Sequence, residues 1–572
     1  MEMILATIKA WISIFYLIIY YFFSGLLIEK FVYKYTLQQN FSFFEKFCTI
    51  IINGLLINIL YLYLWNFFLP INILCYTLFI IVLIFFNWNN LKYLKELFFG
   101  LSGFNSSIRL FIYILLFAAW IAILSNNEIG PSDFGRNHLQ SIKWSSSFPA
   151  IKGIGNLHWG LGVNCSSWLL IALHNNVSIN NIFYCVHNGF YLTLLFIYIF
   201  IIPLGEYYKT RSPYLSIYQI YSLLFFIPLI QYCFYYYPGT SSDLPVFVFS
   251  ALLSIILLKS IFNNSNASLV NALSVGTIGL TNKLSFIFMF STSIAIMPLL
   301  ISKNKLLLII KEISFRKIAS LHILIIALWI VRNIMMTGYP LYPYKGISIP
   351  FKWRIEKEIV ENVNKGITNW ANGIRSANLT PEQKKEARKM WIKTRLFLQH
   401  RRIDTSYPLI LGIIGLVLLF YYYRMDFYQS IIFSLPAVAN IAIWYFLFPD
   451  SRFSGAAFWW FGAGFGIFLF KVNQGLTRFT FFIPLLIFLS LITHVFDPLG
   501  QAKDFLPTTN YQKVISTPTL RRFETRSGFI YSTPIDGDQC WDAPLPCSPY
   551  MVKNLALIDG KSMAGGFYVL PD

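Results

Sequence analysis

The sequence predicts an all-α, polytopic membrane protein with about 14 transmembrane helices. Hydrophobic residues make up 56% and aromatic residues 19% of its 572 positions, and the mean hydropathy is +0.58. Apolar runs long enough to cross a bilayer, which takes about 20 residues of helix, recur along most of the chain. Together these observations indicate that most of the chain lies in a membrane.

The predicted spans follow from the apolar stretches, which short polar connections separate. They lie near residues 4–27, 47–65, 69–87, 108–124, 182–203, 214–236, 244–262, 268–281, 284–301, 318–336, 406–423, 428–447, 455–470 and 479–495.

Lys and Arg are concentrated in connections between the predicted spans, and the net charge is +20. Because such residues mark cytoplasmic loops, the loops that contain Lys92 and Lys209 are predicted to be cytoplasmic. Strict alternation then places the loop 125–181, the segment 337–405 and the tail 496–572 outside. The topological role of these charges also argues against nucleic acid as a partner.

The outer loop carries a polar, glycine-rich stretch at residues 130–167, GPSDFGRNHLQSIKWSSSFPAIKGIGNLHWGLGVNCSS. Glycines allow such a loop to fold closely on itself or on a ligand. Its Trp and Phe residues argue against disorder. A solvated loop without a ligand is the alternative. The candidate functional residues here are Asp133, His138, Gln140, Lys143, His158 and Asn164.

Further charged residues stand at the predicted outer ends of spans. Asp243 begins a span and is either a reacting carboxylate or a helix N-cap. Lys283 lies between two apolar segments, as a ligand-binding cation or as a side chain that extends to the membrane surface. Arg332 and Arg452 suit phosphate, because a guanidinium can bond two oxygens at once. Asp450, beside Arg452, belongs either to the ligand site or to a structural ion pair.

The outer segment 337–405 contains NLTPEQKKEARKMWIKTRLFL. Thr380, Pro381 and Gln383 have the pattern of N-cap, N1 and N3 in a capping box. The helix that follows mixes apolar residues with many Lys and Arg, which predicts a position against lipid headgroups. A solvated helix is the alternative. In either case it is expected to cover the outer site.

The tail is too polar to span a membrane, so residues 1–495 are predicted to form a transmembrane domain and 496–572 a small extracytoplasmic domain. Cys540 and Cys547 flank a proline-containing turn in CWDAPLPC, and the predicted location outside favours a disulfide between them. Metal binding by the two thiols is the competing interpretation.

The stretches DFGRNHLQSIKW and GNLHWGLGVNCSSWLL resemble a family of uncharacterised bacterial integral-membrane proteins. That family has the patterns D-x-G-x-x-H-L-Q-x-I-K-W and G-N-L-H-x-x-L-G-x-N-x-S. The similarity continues through SSDLP at 241–245, TNKLS at 281–285, GYPLYP at 338–343, PDSRF at 449–453 and CWDAPLPC at 540–547. The resemblance implies a multi-pass protein of the bacterial inner (cytoplasmic) membrane, with an active site that faces the periplasm or the cell exterior.

More distantly, the arrangement is similar to the GT-C membrane glycosyltransferases. That similarity implies a polyprenyl-phosphate sugar donor and an acidic residue of an early outer loop as base or metal ligand, a role that Asp133 matches. Here the acidic loop follows the fourth span, whereas the class has it after the first, and no paired D-x-D is present. The cofactor is therefore unknown, and a divalent metal stays an open alternative without the paired acidic motif that usually binds it.

The sequence thus predicts a GT-C-like glycosyltransferase acting on an envelope glycan, lipid or protein, with membrane lipids around it. Displacing phosphate from an anomeric carbon needs a carboxylate to take the acceptor proton and cations to hold the leaving group. Asp133 is the predicted base and Asp243 the second carboxylate. The predicted substrate-binding residues are His138, Gln140, Lys143, His158, Asn164, Lys283, Arg332, Asp450 and Arg452. The alternatives are a lipid-linked glycan polymerase or ligase, and a lipid or polysaccharide transporter. The lack of an internal repeat argues against the transporter.

Overall fold

The structure is a computed structural model in which the described residues fall into thirteen stretches. They are 2–29, 42–88, 104–127, 133–178, 181–210, 216–235, 237–263, 266–300, 313–376, 378–398, 404–422, 424–472 and 517–571. The predicted span near 479–495 lies outside the described residues.

Helices dominate the described part of the chain up to residue 472. In chain order they are α1 Glu2–Ile28, α2 Phe43–Asn66, α3 Ile73–Asn87, α4 Phe104–Leu124, α5 Leu139–Ser147, α6 Ser166–Asn175, α7 Phe183–Phe196, α8 Ile202–Thr210, α9 Ile217–Leu224, α10 Phe226–Tyr235, α11 Asp243–Asn263, α12 Asn266–Asn282, α13 Ile287–Leu300, α14 Ile313–Thr337, α15 Lys357–Ala371, α16 Pro381–Lys393, α17 Ser406–Tyr422, α18 Arg424–Leu447 and α19 Ala457–Val472.

Among the described residues, seven helical stretches are long and apolar enough to cross a membrane. They are Glu2–Ile28, Phe43–Asn66, Phe183–Lys209, Ile217–Phe234, Asp243–Ile261, Phe315–Thr337 and Phe427–Leu447. Four shorter apolar helices, Ile73–Asn87, Ile108–Leu124, Leu284–Leu300 and Ser406–Tyr422, occupy positions of further predicted spans. A mostly helical chain with membrane-spanning candidates is thus confirmed, whereas the count of 14 spans stays a prediction.

The crossing of α1 and α2 shows how small residues bring these helices together. A Cβ atom added at Gly25 would collide with the backbone of Ile50, and one added at Gly54 would collide with the backbone of Tyr21. Small residues at such crossings let two helix backbones approach closely, which increases van der Waals contact where lipid supplies no hydrophobic drive.

Short elements fill the loop that the sequence analysis placed outside. A π-helical turn, Phe134–His138, runs directly into α5, and two 3₁₀ turns, Ile154–Asn156 and Trp159–Gly162, follow. The predicted capping box is confirmed at the start of α16, where the Thr380 hydroxyl and the Gln383 side chain bond each other's backbone N–H groups.

Residues 517–571, the C-terminal module, contain β-structure that the sequence analysis did not predict. Strand β1, Leu520–Glu524, pairs with β2, Ile530–Pro534, and β3, Leu555–Leu557, pairs with β4, Phe567–Val569, both antiparallel. The all-α prediction is therefore wrong for this module, because strands of three to five residues lack the long apolar runs on which that prediction depended.

The C-terminal module shares a hydrophobic core with the loop between α4 and α6. The buried side chains of this core come from both parts of the chain and from the end of α14: Trp144, Ile151, Ile154, Leu157, Leu161, Met336, Tyr531, Leu555 and Phe567. A segment of this size has little apolar surface of its own to bury. The module is consequently packed onto the loop, and its own cluster is small, formed by Cys540, Ala543 and Cys547 with Leu520 against them.

Labelling of single cysteines tests the predicted topology. Ser376→Cys and Lys561→Cys should react with a membrane-impermeant thiol reagent in intact cells, because the sequence places their segments outside. Lys209→Cys should react only after permeabilisation. All three positions are exposed in the structure, and the five free cysteines to be replaced in the background, Cys48, Cys75, Cys165, Cys185 and Cys233, are buried. Labelling of Lys209→Cys from outside would contradict the topology.

Candidate functional site

Five charged residues from distant parts of the sequence meet where helices end. Asp133 precedes the π-helical turn, Asp243 is the first residue of α11, and Lys283 follows α12. Asp450 and Arg452 lie in the connection between α18 and α19, which contains the 3₁₀ turn Ser451–Phe453. We call these five residues the Arg452 cluster.

The Arg452 guanidinium lies between three carboxylates. Its Nη1 is 3.5 Å from Oδ2 of Asp133 and 3.8 Å from Oδ2 of Asp243. Its Nε is 3.6 Å from Oδ1 of Asp450. Lys283 forms an ion pair with the other oxygen of Asp243. The sequence prediction placed all five residues in one site, and the structure brings them together.

Asp450 is a structural support for the cluster. Its Oδ1 accepts a hydrogen bond from the backbone N–H of Arg452 at 3.1 Å, which fixes the turn. Its Oδ2 pairs with Arg395 at 2.9 Å, and the Asp450 side chain is only 1% exposed. Of the two roles that the sequence left open for Asp450, the contacts favour the structural ion pair.

Helices α15 and α16 lie against the cluster. Trp370 of α15 lies with its ring 4.4 Å from the Arg452 guanidinium carbon, close enough for a cation–π contact. Trp391 of α16 donates to the Pro449 carbonyl at 3.0 Å, and Asn372 donates to Leu447 at 3.2 Å. Sequence reasoning expected this segment to cover the site but missed the roles of Trp370 and Arg395. The only local signal for them was the aromatic and basic composition of the segment.

The Asp133 and Asp243 carboxylates, which both lie near Nη1 of Arg452, differ in accessibility. The Asp243 side chain is 7% exposed, and its oxygens are near Lys283, Arg452 and the Ser241 hydroxyl. The Asp133 side chain is 36% exposed and makes no capping hydrogen bond to the turn that it precedes. Asp133 is therefore the carboxylate that an outside molecule can reach, whereas Asp243 holds the two cations in place.

His138 borders the cluster in its neutral form. Its ring lies 4.8 Å from that of Trp168, and its Nδ1 has no hydrogen-bond partner among the described residues. Burial lowers the pKa of His138 from 6.5 to about 4; Asp133 and Asp243 oppose this shift, and Lys283 and Arg452 add to it. At neutral pH the ring can therefore accept or donate a hydrogen bond without carrying charge.

Other residues of the 133–144 motif bind the C-terminal module. Gln140 Nε2 donates to the Trp541 carbonyl at 2.9 Å, and Lys143 Nζ contacts Oδ1 of Asp542 at 2.9 Å and the Ala543 carbonyl at 2.8 Å. These donors are already engaged, so their predicted contacts with substrate stay predictions.

The predicted disulfide between Cys540 and Cys547 is confirmed. It closes the loop that Gln140 and Lys143 bind, and the Trp541 N–H donates to the Gly135 carbonyl at 2.9 Å. A Cβ atom at Gly135 would lie 2.6 Å from the Trp541 ring, which explains glycine at this position. The module is thus fixed against the residues that follow Asp133.

His158 and Asn164 lie in other surroundings. His158 is 2% exposed and its ring is 5.1 Å from that of Tyr550, and burial, with a smaller effect of Arg136, lowers its pKa to about 3. Asn164 accepts from Nη1 of Arg332 at 2.6 Å. Among the described contacts, none joins His158, Asn164 or Arg332 to the Arg452 cluster. The structure therefore places these three predicted site residues apart from the cluster.

The described residues contain no group of three or more His, Cys, Asp or Glu side chains that could hold a metal ion.

The fold and the cluster define a helical membrane protein with a charged, partly exposed site at the ends of its helices. Residues 5–459 match the family described as a domain of unknown function (DUF8201), and the chain belongs to that family. No curated protein and no solved structure matches the chain. The family description names no activity, so the function rests on the site itself.

Loss of the disulfide should loosen the C-terminal module. We expect the double variant Cys540→Ser, Cys547→Ser to lose about 2 kcal/mol of local stability, because closing a short loop restricts the unfolded segment. Limited proteolysis of the module should become faster, while the helical region stays intact. Reducing agent should have the same effect on the wild type and none on the variant. An unchanged cleavage rate would show that the other contacts suffice.

The buried His138 should make the protein less stable in acid. Because this histidine takes up a proton near pH 6.5 when unfolded and only near 4 when folded, the unfolded state binds more protons between these values. The contribution of His138 to the free energy of unfolding is therefore fully present above pH 6.5 and decreases as the pH falls toward 4. Thermal melts of purified protein at pH 7 and pH 5 should show a smaller decrease for His138→Gln. Equal decreases would refute the assignment.

Proposed function

We propose that the chain is a glycosyltransferase that moves a sugar from a polyprenyl-phosphate-linked donor to an acceptor hydroxyl at the extracytoplasmic face. Asp133 takes the proton of the acceptor hydroxyl, and the acceptor oxygen bonds to the anomeric carbon. The bond from that carbon to the phosphate oxygen breaks, and its electron pair leaves with the phosphate. The observation that carries this proposal is the partly exposed Asp133 carboxylate, 3.5 Å from Nη1 of Arg452.

The balance of charge in the site supports this role for Asp133. Within the described residues, the carboxylates of Asp133, Asp243 and Asp450 stand against the cations Lys283, Arg452 and Arg395. Protonation of Asp133 removes one negative charge beside Arg452. The positive charge of Arg452 can then stabilise the negative charge that develops on the leaving phosphate.

Two further features fit the same reaction. His138 is held neutral, which suits a hydrogen bond to a sugar or acceptor hydroxyl better than binding of an anion. Helices α15 and α16 lie across the cluster and limit access of water, which strengthens electrostatic interactions inside. A lipid-linked glycan polymerase or ligase would use the same groups and differs in its acceptor.

A transporter is the second candidate, and a buried chain of polar side chains favours it. Tyr21 OH lies 2.9 Å from Nε2 of His174 and 3.3 Å from Nε2 of His187, and Tyr16 OH lies 3.2 Å from Nδ1 of His174. Ionisable residues buried among membrane helices often mark a proton or substrate path. Counter-transport of lipid-linked sugar in liposomes, without formation of a glycosidic bond, would favour this candidate.

Replacement of the base tests the proposed transfer. In a strain that lacks the chain, we expect Asp133→Asn to restore product about 100-fold less than the wild type, because the amide cannot take a proton. Mass analysis of lipid-linked intermediates and of the mature glycan gives the measurement. Asp536→Asn is the matched control, since Asp536 is exposed on the C-terminal module. Product at the wild-type level with Asp133→Asn would remove Asp133 as the base.

A further inference from the structure

A small cavity lies where α2, α5 and α14 come together. Its lining includes Asn66 at the end of α2, Ser141 and Trp144 of α5, and Arg332 near the end of α14. The free space is about that of one water molecule, so the cavity has room for a water molecule or for an ion of similar size. Within the described structure, the residues of the Arg452 cluster do not line this cavity, which makes it a separate site.

The cavity contains the side chain of a buried cation whose described partners are all neutral. Arg332 is 4% exposed. Its Nη1 donates to Asn164 at 2.6 Å, and its Nε and Nη2 donate to Asn66 at 3.4 and 3.3 Å. Nη2 also donates to the Ser145 hydroxyl at 3.4 Å. These bonds orient the guanidinium but leave its charge uncompensated, and a buried charge without a counter-charge is costly.

The neutral partners of Arg332 are themselves held by backbone carbonyls. The Asn66 amide donates to the Phe148 carbonyl at 3.2 Å, and the Asn164 amide donates to the Trp329 carbonyl at 3.1 Å. The side-chain oxygens of both residues accept from the guanidinium. The four bonds that Arg332 makes use four of its five N–H groups. One N–H group, on Nη1, therefore has no acceptor in the described part of the chain.

Two further lining residues carry donors that have no acceptor among the described residues. They are Nε1 of Trp144 and the hydroxyl of Ser141, on residues that are 3% and 7% exposed. Buried donors of this kind normally have a partner. With the remaining N–H group of Arg332, three donors and one uncompensated positive charge belong to residues that line the same cavity.

We propose that this cavity binds a chloride ion. A chloride ion is only slightly larger than a water molecule, accepts hydrogen bonds from every direction, and balances the single positive charge of Arg332. A water molecule would leave that charge uncompensated and would need acceptors for its own hydrogens. Carboxylates, phosphate and sulfate are too large for the space of one water molecule.

The bound ion joins helices from distant parts of the chain. Arg332 belongs to α14, and Ser141 and Trp144 belong to α5, which continues the π-helical turn that follows Asp133. An ion that binds the folded chain and not the unfolded one stabilises the fold by mass action. Chloride therefore helps to fix α5, whichever reaction the Arg452 cluster performs.

Chloride binding by the purified full chain tests the inference. The protein in detergent is kept in sodium gluconate, which sodium chloride then replaces at constant ionic strength. The melting temperature should rise with chloride, and equilibrium dialysis against radioactive chloride should reach one ion per chain. Bromide should compete for the site, whereas sulfate should not, because it is too large. Absence of bound chloride, or competition by sulfate as strong as that by bromide, would overturn the proposal.

Variants of α5 assign the binding to the cavity. Trp144→Phe keeps an aromatic ring without the N–H, and Ser141→Ala removes the hydroxyl, so each should bind chloride about tenfold more weakly. Ser146→Ala is the matched control on the same helix, because the Ser146 hydroxyl donates to the Ile142 carbonyl at 3.0 Å and Ser146 does not line the cavity. If Trp144→Phe does not fold, Ser141→Ala alone decides. Wild-type affinity in the variants that fold would refute the site.

Replacement of the cation tests its part in the binding. Arg332→Gln keeps an amide donor and removes the positive charge, so the variant should bind no chloride and its melting temperature should stop responding to chloride. If Arg332→Gln does not fold, the comparison of Ser141→Ala with Ser146→Ala decides in its place. A response of Arg332→Gln to chloride equal to that of the wild type would show that the ion binds elsewhere and would overturn the proposal.

Discussion

The contact between Arg452 and its carboxylates is the interaction on which the arrangement of the candidate site depends. It joins the segment before α5 to the start of α11, while Asp450 fixes the turn that carries the guanidinium. Removing either partner of such a pair would leave charge without compensation in a poorly solvated place. The arrangement is therefore constrained by electrostatics, because each ion must be matched where water is scarce.

Asp133 is the exception within that constraint. Its side chain is a third exposed and contacts Arg452, whereas the ion pair between Lys283 and Asp243 involves neither of its oxygens. Asp243 and Asp450 are nearly buried and hold their cations firmly. Two buried carboxylates and one accessible carboxylate fit the proposed transfer, in which Asp133 takes the proton while Asp243 and Asp450 keep the cations in position.

Some of this arrangement was predictable from the sequence and some was not. The capping box at Thr380 and the disulfide of Cys540 follow from local spacing, and the positive-inside rule grouped the charged residues on one predicted face. The partners of Gln140 and Lys143 lie about 400 residues away, at positions 541–543. Local sequence patterns do not indicate contacts between such distant segments. For the same reason the core that the C-terminal module shares with the loop could not be predicted.

The distribution of charge along α11 bears on the choice between transferase and transporter. Its first residue, Asp243, belongs to the cluster, and Lys259 near its other end pairs with Glu45 at 2.6 Å. The polar residues between them, Ser250 and Ser254, donate to backbone carbonyls of the same helix. Transporters place their sites near the middle of the membrane on broken helices. An unbroken helix with paired charges at its ends and neutral, satisfied groups between them instead favours chemistry at one end, where Asp133 is accessible.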